Sequence, residues 1–189
     1  MTSEPRMFFS AKRPATSHCF NFASCSLRAA ELQIDRIWDR PVVSGSHAVV
    51  EAAFQDILID IHFYFIALRN LYRFLAKVVD DPAFEQFGRD VEKLNSAWFK
   101  HYAKGREAFE HIDQRLPGEE QEHQLVEVID GGSPRKIHYG VSLRKGVFTH
   151  SNLSFDISRE AFLGLKGEVE ALLTKIVNSC PSREGTHAV

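Results

Sequence analysis

The sequence predicts a mainly α fold: an up-and-down helical bundle with two long antiparallel helices and a small antiparallel β-meander inserted before the last helix. Three observations carry this prediction. Apolar residues recur at steps of three and four through two long stretches, the pattern of a helix face turned to a core. Asp80-Asp81-Pro82 joins the two stretches so tightly that the helices must run antiparallel. Between about residues 123 and 157 the period changes to two, and a last amphipathic stretch follows. At 189 residues, 44% hydrophobic and 25% charged, the chain suits one soluble domain with a single core.

Residues 1–25 read as an irregular N-terminal arm, because Pro5 and Pro14 interrupt any amphipathic helix. Their basic, Ser- and Thr-containing composition also overlaps with that of organelle transit peptides. The domain proper is expected over residues 26–180, with 181–189 a loose tail. Its first helix is expected over about Ser26 to Trp38, burying Leu27, Leu32, Ile34 and Ile37 and ending at Asp39-Arg40-Pro41. The next, from about Ser46 to Asp80, carries the seam Val50, Phe54, Ile57, Ile61, Tyr64, Leu68, Leu71, Leu75 and Val78. Phe65, Tyr72 and Val79 widen that stripe, so this helix should touch two or more partners at the centre of the core. Its least charged run, Ile57 to Leu68, contains Asp60 and His62 and is shorter than the roughly 20 residues of a bilayer crossing, so no membrane span is expected.

After Pro82 the spacing restarts at Phe84, Phe87, Val91, Leu94 and Trp98 and runs towards Arg115, with Pro117-Gly118 as the stop. The later seam positions are His101, Gly105 and Ala108. Such thinning lets another backbone approach closely, from this chain or from a second subunit. The meander, about 123–157, begins with Leu125–Ile129 and Ile137–Leu143 as a hairpin about Asp130–Pro134. Val147–Thr149 and Leu153–Phe155 extend it through the turn signal Lys145-Gly146. Ser158 is an N-cap candidate for the final helix, which carries Phe162, Leu165, Val169, Leu172, Leu173, Ile176 and Val177.

The charge balance, 23 basic against 25 acidic residues, draws the protein to neither nucleic acid nor an anionic membrane as a whole, so any such contact must be local. Three cysteines without a Cys-x-x-Cys pair argue against a disulfide framework or zinc knuckle and suit a reducing cytoplasm. Phosphate-binding glycine loops, His-Glu-x-x-His and Gly-x-Ser-x-Gly are absent. The single Glu120-x-x-His123 lacks the second copy that a di-iron bundle needs. Neither a metal nor a cofactor is therefore expected.

The chemistry concentrates at the end of the second long helix, Lys104 to Pro117. At helical spacing Arg106 faces Glu110 and Glu107 faces His111, with Asp113 beyond. The negative end of the helix dipole and the nearby carboxylates should raise the His111 pKa from about 6.5, poising it for proton transfer. His101, in the seam, reads either as a core histidine bonded to a carbonyl or Tyr, or as part of a binding surface.

Arg106-x4-His111 at the end of a long helix in a compact helical domain resembles the Arg-x4–6-His motif of HEPN (higher eukaryotes and prokaryotes nucleotide-binding) domains. The surrounding Arg-x3-Glu-His-x-Asp is similar to an uncharacterised bacterial branch of that family. The resemblance covers roughly residues 27–116 and 158–179 and leaves the meander outside it. It implies a homodimer in which Arg106 and His111 of both subunits meet in a cleft; His101, Glu107, Glu110 and Asp113 are candidate binding residues read from this sequence itself. The resemblance also implies that RNA or a nucleotide is the ligand and metal-independent endoribonuclease chemistry the activity. In that chemistry an imidazole moves the proton and a guanidinium steadies the phosphate. The alternative is a non-catalytic partner-binding or regulatory helical module with a protein partner. The same charges would then be a solvated helix end held by i, i+4 pairs worth tenths of a kcal/mol.

Overall fold

The computed structural model of the chain describes residues 13–41, 44–110, 125–130, 133–138, 141–150 and 153–179. It is mainly helical, with a small antiparallel sheet before the last helix. The helices are α1 (Pro14–Trp38), α2 (His47–Val79), α3 (Gly88–Leu94), α4 (Lys100–Glu110) and α5 (Arg159–Asn178). A 3-10 turn, Glu85–Phe87, leads into α3, and a π-helical turn, Asn95–Phe99, joins α3 to α4 without a break in helical dihedrals.

α1 corrects the expected arm and short first helix, for it starts at Pro14 rather than near Ser26. Proline breaks a helix only in its interior. At the first position its missing N–H would have no partner and its fixed φ suits the turn. The added turns are held by their own apolar stripe, Phe20 and Ala23, running on to Leu27, Ala30, Ile34 and Ile37. The buried Thr16 hydroxyl donates to Asp81 at 2.6 Å, fastening the start of α1 to the end of α2. Residues 1–12 and 180–189 of the expected arm and tail lie outside the described residues.

α1 and α2 run antiparallel, as Phe22 against Phe74 at one end and Arg40 against Asp56 at the other require. α4 packs antiparallel on another side of α2: Tyr72 meets Phe99, Phe65 meets Tyr102 and His62 meets Phe109. α5 closes the inner face, with Phe162 against Tyr64, Lys166 against Glu31 and Arg159 against Asp35. The core follows the expected α2 seam from Ile61 to Val78, all fully or nearly buried. Its first three turns depart from expectation: Val50 is 46% exposed and Phe54 and Ile57 are only half-buried, because α2 there runs past the described packing elements.

The strand segment divides into two sheets. β1 (Leu125–Asp130) pairs antiparallel with β2 (Ser133–His138), and β3 (Val141–Arg144), β4 (Val147–His150) and β5 (Leu153–Asp156) form a three-stranded antiparallel sheet. The β3–β4 turn has Lys145 at φ 48° and Gly146 at φ 84°, the doubly positive pair of a tight hairpin, and a side chain at 146 would strike Ser158. Phe148 and Phe155 lie opposite each other in register and are both fully buried, which seats the sheet on the helices. Ser158 caps α5 as expected, its Oγ accepting from the Ala161 N–H at 3.2 Å.

Candidate functional site

The π-helical turn decides which side chains of α4 face the core. One extra residue per π turn rotates everything after it by about 100° relative to an unbroken helix. Of the expected seam, Trp98 packs half-buried against the core and Gly105 is buried, but His101 is turned out, and the large side chains turned inward are Phe99, Tyr102 and Phe109. His101 is consequently exposed rather than a core residue. Its Nε2 still meets a carbonyl, that of Ser154, at 2.9 Å, and its ring lies 4.9 Å from Phe155, so the imidazole pins β5 to α4.

Gly105 makes room for a side chain of this chain, the Phe65 ring, rather than for the close backbone approach that the thinning of the seam implied. A Cβ there would lie 2.6 Å from Cε2 of Phe65 on α2. The same rotation sets Arg106, four residues after Tyr102 and three before Phe109, at the edge of the inward stripe. Arg106 is half-buried, with Nη1 shielded from water. Glu107 is exposed. Glu110 closes α4. His111 and Asp113 lie outside the described residues, as do the expected Glu107–His111 pairing and the helix end at Arg115.

Two further imidazoles flank this end of α4, and sequence reasoning passed them over as site residues. His62 of α2 stacks on Phe109 with centroids 5.0 Å apart and planes 5° from parallel. His150 of β4, 1% exposed, lies 5.9 Å from the same ring, and Phe148 stacks on it at 5.7 Å. The signal for His150 was its alternation with Phe148 along a strand of period two. For His62 there was none beyond its place on the shoulder of the α2 seam.

Beneath them lies a polar pair. The Tyr102 hydroxyl donates to the Asp156 carbonyl, and Tyr64 Oη is buried beside it without a hydrogen bond of good geometry. Burial, reinforced by Asp156, pushes the Tyr102 pKa up to about 12, and burial raises that of Tyr64 well above the usual phenol range. Both phenols stay neutral at any physiological pH.

At the other end of α1 an open hollow of about 380 Å³ is lined by Arg36, Asp39, Arg40, Pro41 and Asp60. Its cations are already matched. Arg40 bonds the buried Asp60 at 2.5 Å and Asp56 at 3.2 Å, and Arg36 stands 3.9 Å from Asp60. This network holds the α1–α2 connection. Among the described residues no cluster of His, Cys, Asp and Glu could hold a metal ion, and no helix is long and apolar enough to cross a membrane. No family model, curated protein or solved structure matches the chain.

Proposed function

We propose that the chain is a HEPN-like helical protein that binds RNA and cleaves it without a metal, using Arg106 and His111 at the end of α4. The observation that carries this reading is the setting of Arg106: a half-buried guanidinium one turn before a phenylalanine flanked by His62 and His150. A cation whose charge is partly shielded from water binds a phosphate more strongly than an exposed one. Transesterification of RNA also requires proton carriers. A neutral imidazole takes the 2'-hydroxyl proton, the oxygen attacks phosphorus, and the 5'-oxygen leaves with a proton from an imidazolium, giving a 2',3'-cyclic phosphate. His111 would fill one of these roles, in a cleft shared by two subunits. Free thiols at Cys19 and Cys25 support the cytoplasm as the setting.

The exposed Glu107 favours a second reading, the non-catalytic partner-binding module, because a carboxylate beside Arg106 repels a phosphate. Single-substitution kinetics separate the two. With a fluorophore-quencher RNA in EDTA, His111→Ala and Arg106→Ala should each lose at least about 100-fold in rate with unchanged circular dichroism. Rates equal to wild type in both variants, or no signal with wild type, would refute the catalytic reading.

A further inference from the structure

Beside the candidate site runs a strip of unmatched positive charge, and we propose that it carries the phosphates of a single-stranded RNA to Arg106, with Phe63 as the stacking platform for a base at that end. Every cation of α1 and α5 meets a carboxylate at 3.9 Å or closer. Arg69 and Arg73 of α2 and Lys100 and Lys104 of α4 do not. All four are exposed, and none meets a carboxylate among the described residues. In a chain of net charge -2, this is a local patch of the kind that a nucleic-acid contact requires.

The fold lines these charges up. Where α4 lies along α2, Tyr72 meets Phe99 and Phe65 meets Tyr102, which sets Arg69 level with Lys100 and Phe63 level with Arg106. At about 100° per residue, Arg69 and Arg73 project roughly a quarter turn outward from Tyr72, at the border with α4. Lys100 and Lys104 stand on the solvent side of α4. The two cations of each helix are about 6 Å apart along its axis, and the half-buried Arg106 lies about 9 Å beyond Lys100.

Four positive charges so close together hold a polyanion without selecting its sequence. Phe63 adds what charge alone does not, because it is 51% exposed and any base can stack on its ring. The exposed Glu107 lies beyond Lys104 and repels a phosphate, so the strand crosses from α4 to α2 at Arg106 and its next base falls on Phe63. A single strand offers both the phosphates and a free base face. A duplex keeps its base faces covered, and an anionic lipid surface has none.

The inference rests on the RNA-binding part of the proposed function and not on cleavage, so binding is measured apart from cutting. The probe is a fluorescent 2'-O-methyl RNA strand of about 12 nucleotides, which lacks the attacking hydroxyl, followed by anisotropy in EDTA. Four phosphate contacts at about 0.7 each predict that log Kd rises with log salt concentration at a slope near ~3. Arg69→Glu with Arg73→Glu should weaken binding at least about 30-fold and roughly halve that slope. Phe63→Ala should weaken it at least about 5-fold, and Glu107→Gln should tighten it. Arg144→Glu, an exposed position on β3 two strands away from the β5 edge that α4 covers, should leave it unchanged. With a cleavable strand the double reversal should raise KM and spare kcat, whereas Arg106→Ala lowers kcat. No binding, or binding indifferent to the double reversal or to Phe63→Ala, overturns the proposal, as does equal capture by duplex RNA or by phosphatidylserine vesicles. A strand bound as expected whose ribose counterpart stays intact removes the catalytic reading alone. RNA cut with a KM indifferent to the double reversal removes the strip alone.

Discussion

Replacing Gly105 with Ala tests whether α4 is held against α2 by the seating of the Phe65 ring on the bare glycine. In most helix interiors the change gains about 1 kcal/mol in helix propensity. Here the added methyl would lie 2.6 Å from Cε2 and 2.8 Å from Cζ of Phe65. That ring is fully buried and packs on Tyr64, Tyr102, Phe109, Phe148 and Phe155 at centroid distances from 5.1 to 6.2 Å, so it has no empty side to move into. Overpacking of this kind costs about 1–3 kcal/mol, and with rings on every side the upper figure applies. The net expectation is a loss of about 2 kcal/mol, or roughly 1 M in urea midpoint at an m-value near 2 kcal/mol/M. Equilibrium unfolding followed by helical dichroism measures it. Gly167→Ala on α5, where nothing lies within 4 Å, is the control and should gain up to about 1 kcal/mol. Phe65→Leu should relieve the cost of Gly105→Ala. A Gly105→Ala protein as stable as wild type would refute the close approach.

Arg40→Ala should destabilise the protein by about 2–3 kcal/mol by denaturant unfolding. Asp60 would keep only Arg36 at 3.9 Å, and the partial exposure of Arg40 holds the cost below that of a fully buried pair. Arg40→Met with Asp60→Leu should recover most of that loss. Tyr64 and Tyr102 should resist ionisation in a 295 nm titration through pH 11. Their raised values mean that stability present below the ordinary phenol pKa of about 10 is lost as pH climbs towards 12. The difference titration of Tyr102→Phe should show no change below pH 11. The Thr16 hydroxyl, with the Ala83 N–H, holds the Asp81 carboxyl below its ordinary range, so its stabilisation exists above pH 3.8 and fades as pH falls through the folded value. Thr16→Val should therefore shrink the acid-induced drop in urea midpoint between pH 5 and pH 2.

The helical architecture was legible because each long element repeats one signal many times. The α2 seam from Ile61 to Val78 is buried position for position, and Ser158 caps α5. What was not legible depends on single residues. Pro14 reads as a breaker until one sees that it opens a helix, and nothing in Asn95–Phe99 announces a π turn. That turn costs only one residue of register, yet it moves His101 out of the core and Arg106 to its edge. The α2 pattern also overran its core, since apolar spacing from Val50 onward cannot say where the neighbouring elements stop. At the candidate site the sequence singled out a charged helix end but not His62 or His150, whose nearness to Phe109 arises from tertiary packing between α2, α4 and β4.

The most direct test of the central claim is to analyse the ends of RNA fragments produced by the wild-type chain in EDTA. The oligonucleotide would carry one ribose, all other positions being 2'-deoxy. Cleavage should occur only after that ribose, with more than one cut per protein molecule and a 2',3'-cyclic phosphate on the upstream fragment. An intact oligonucleotide, or cuts at the deoxy positions, would contradict it.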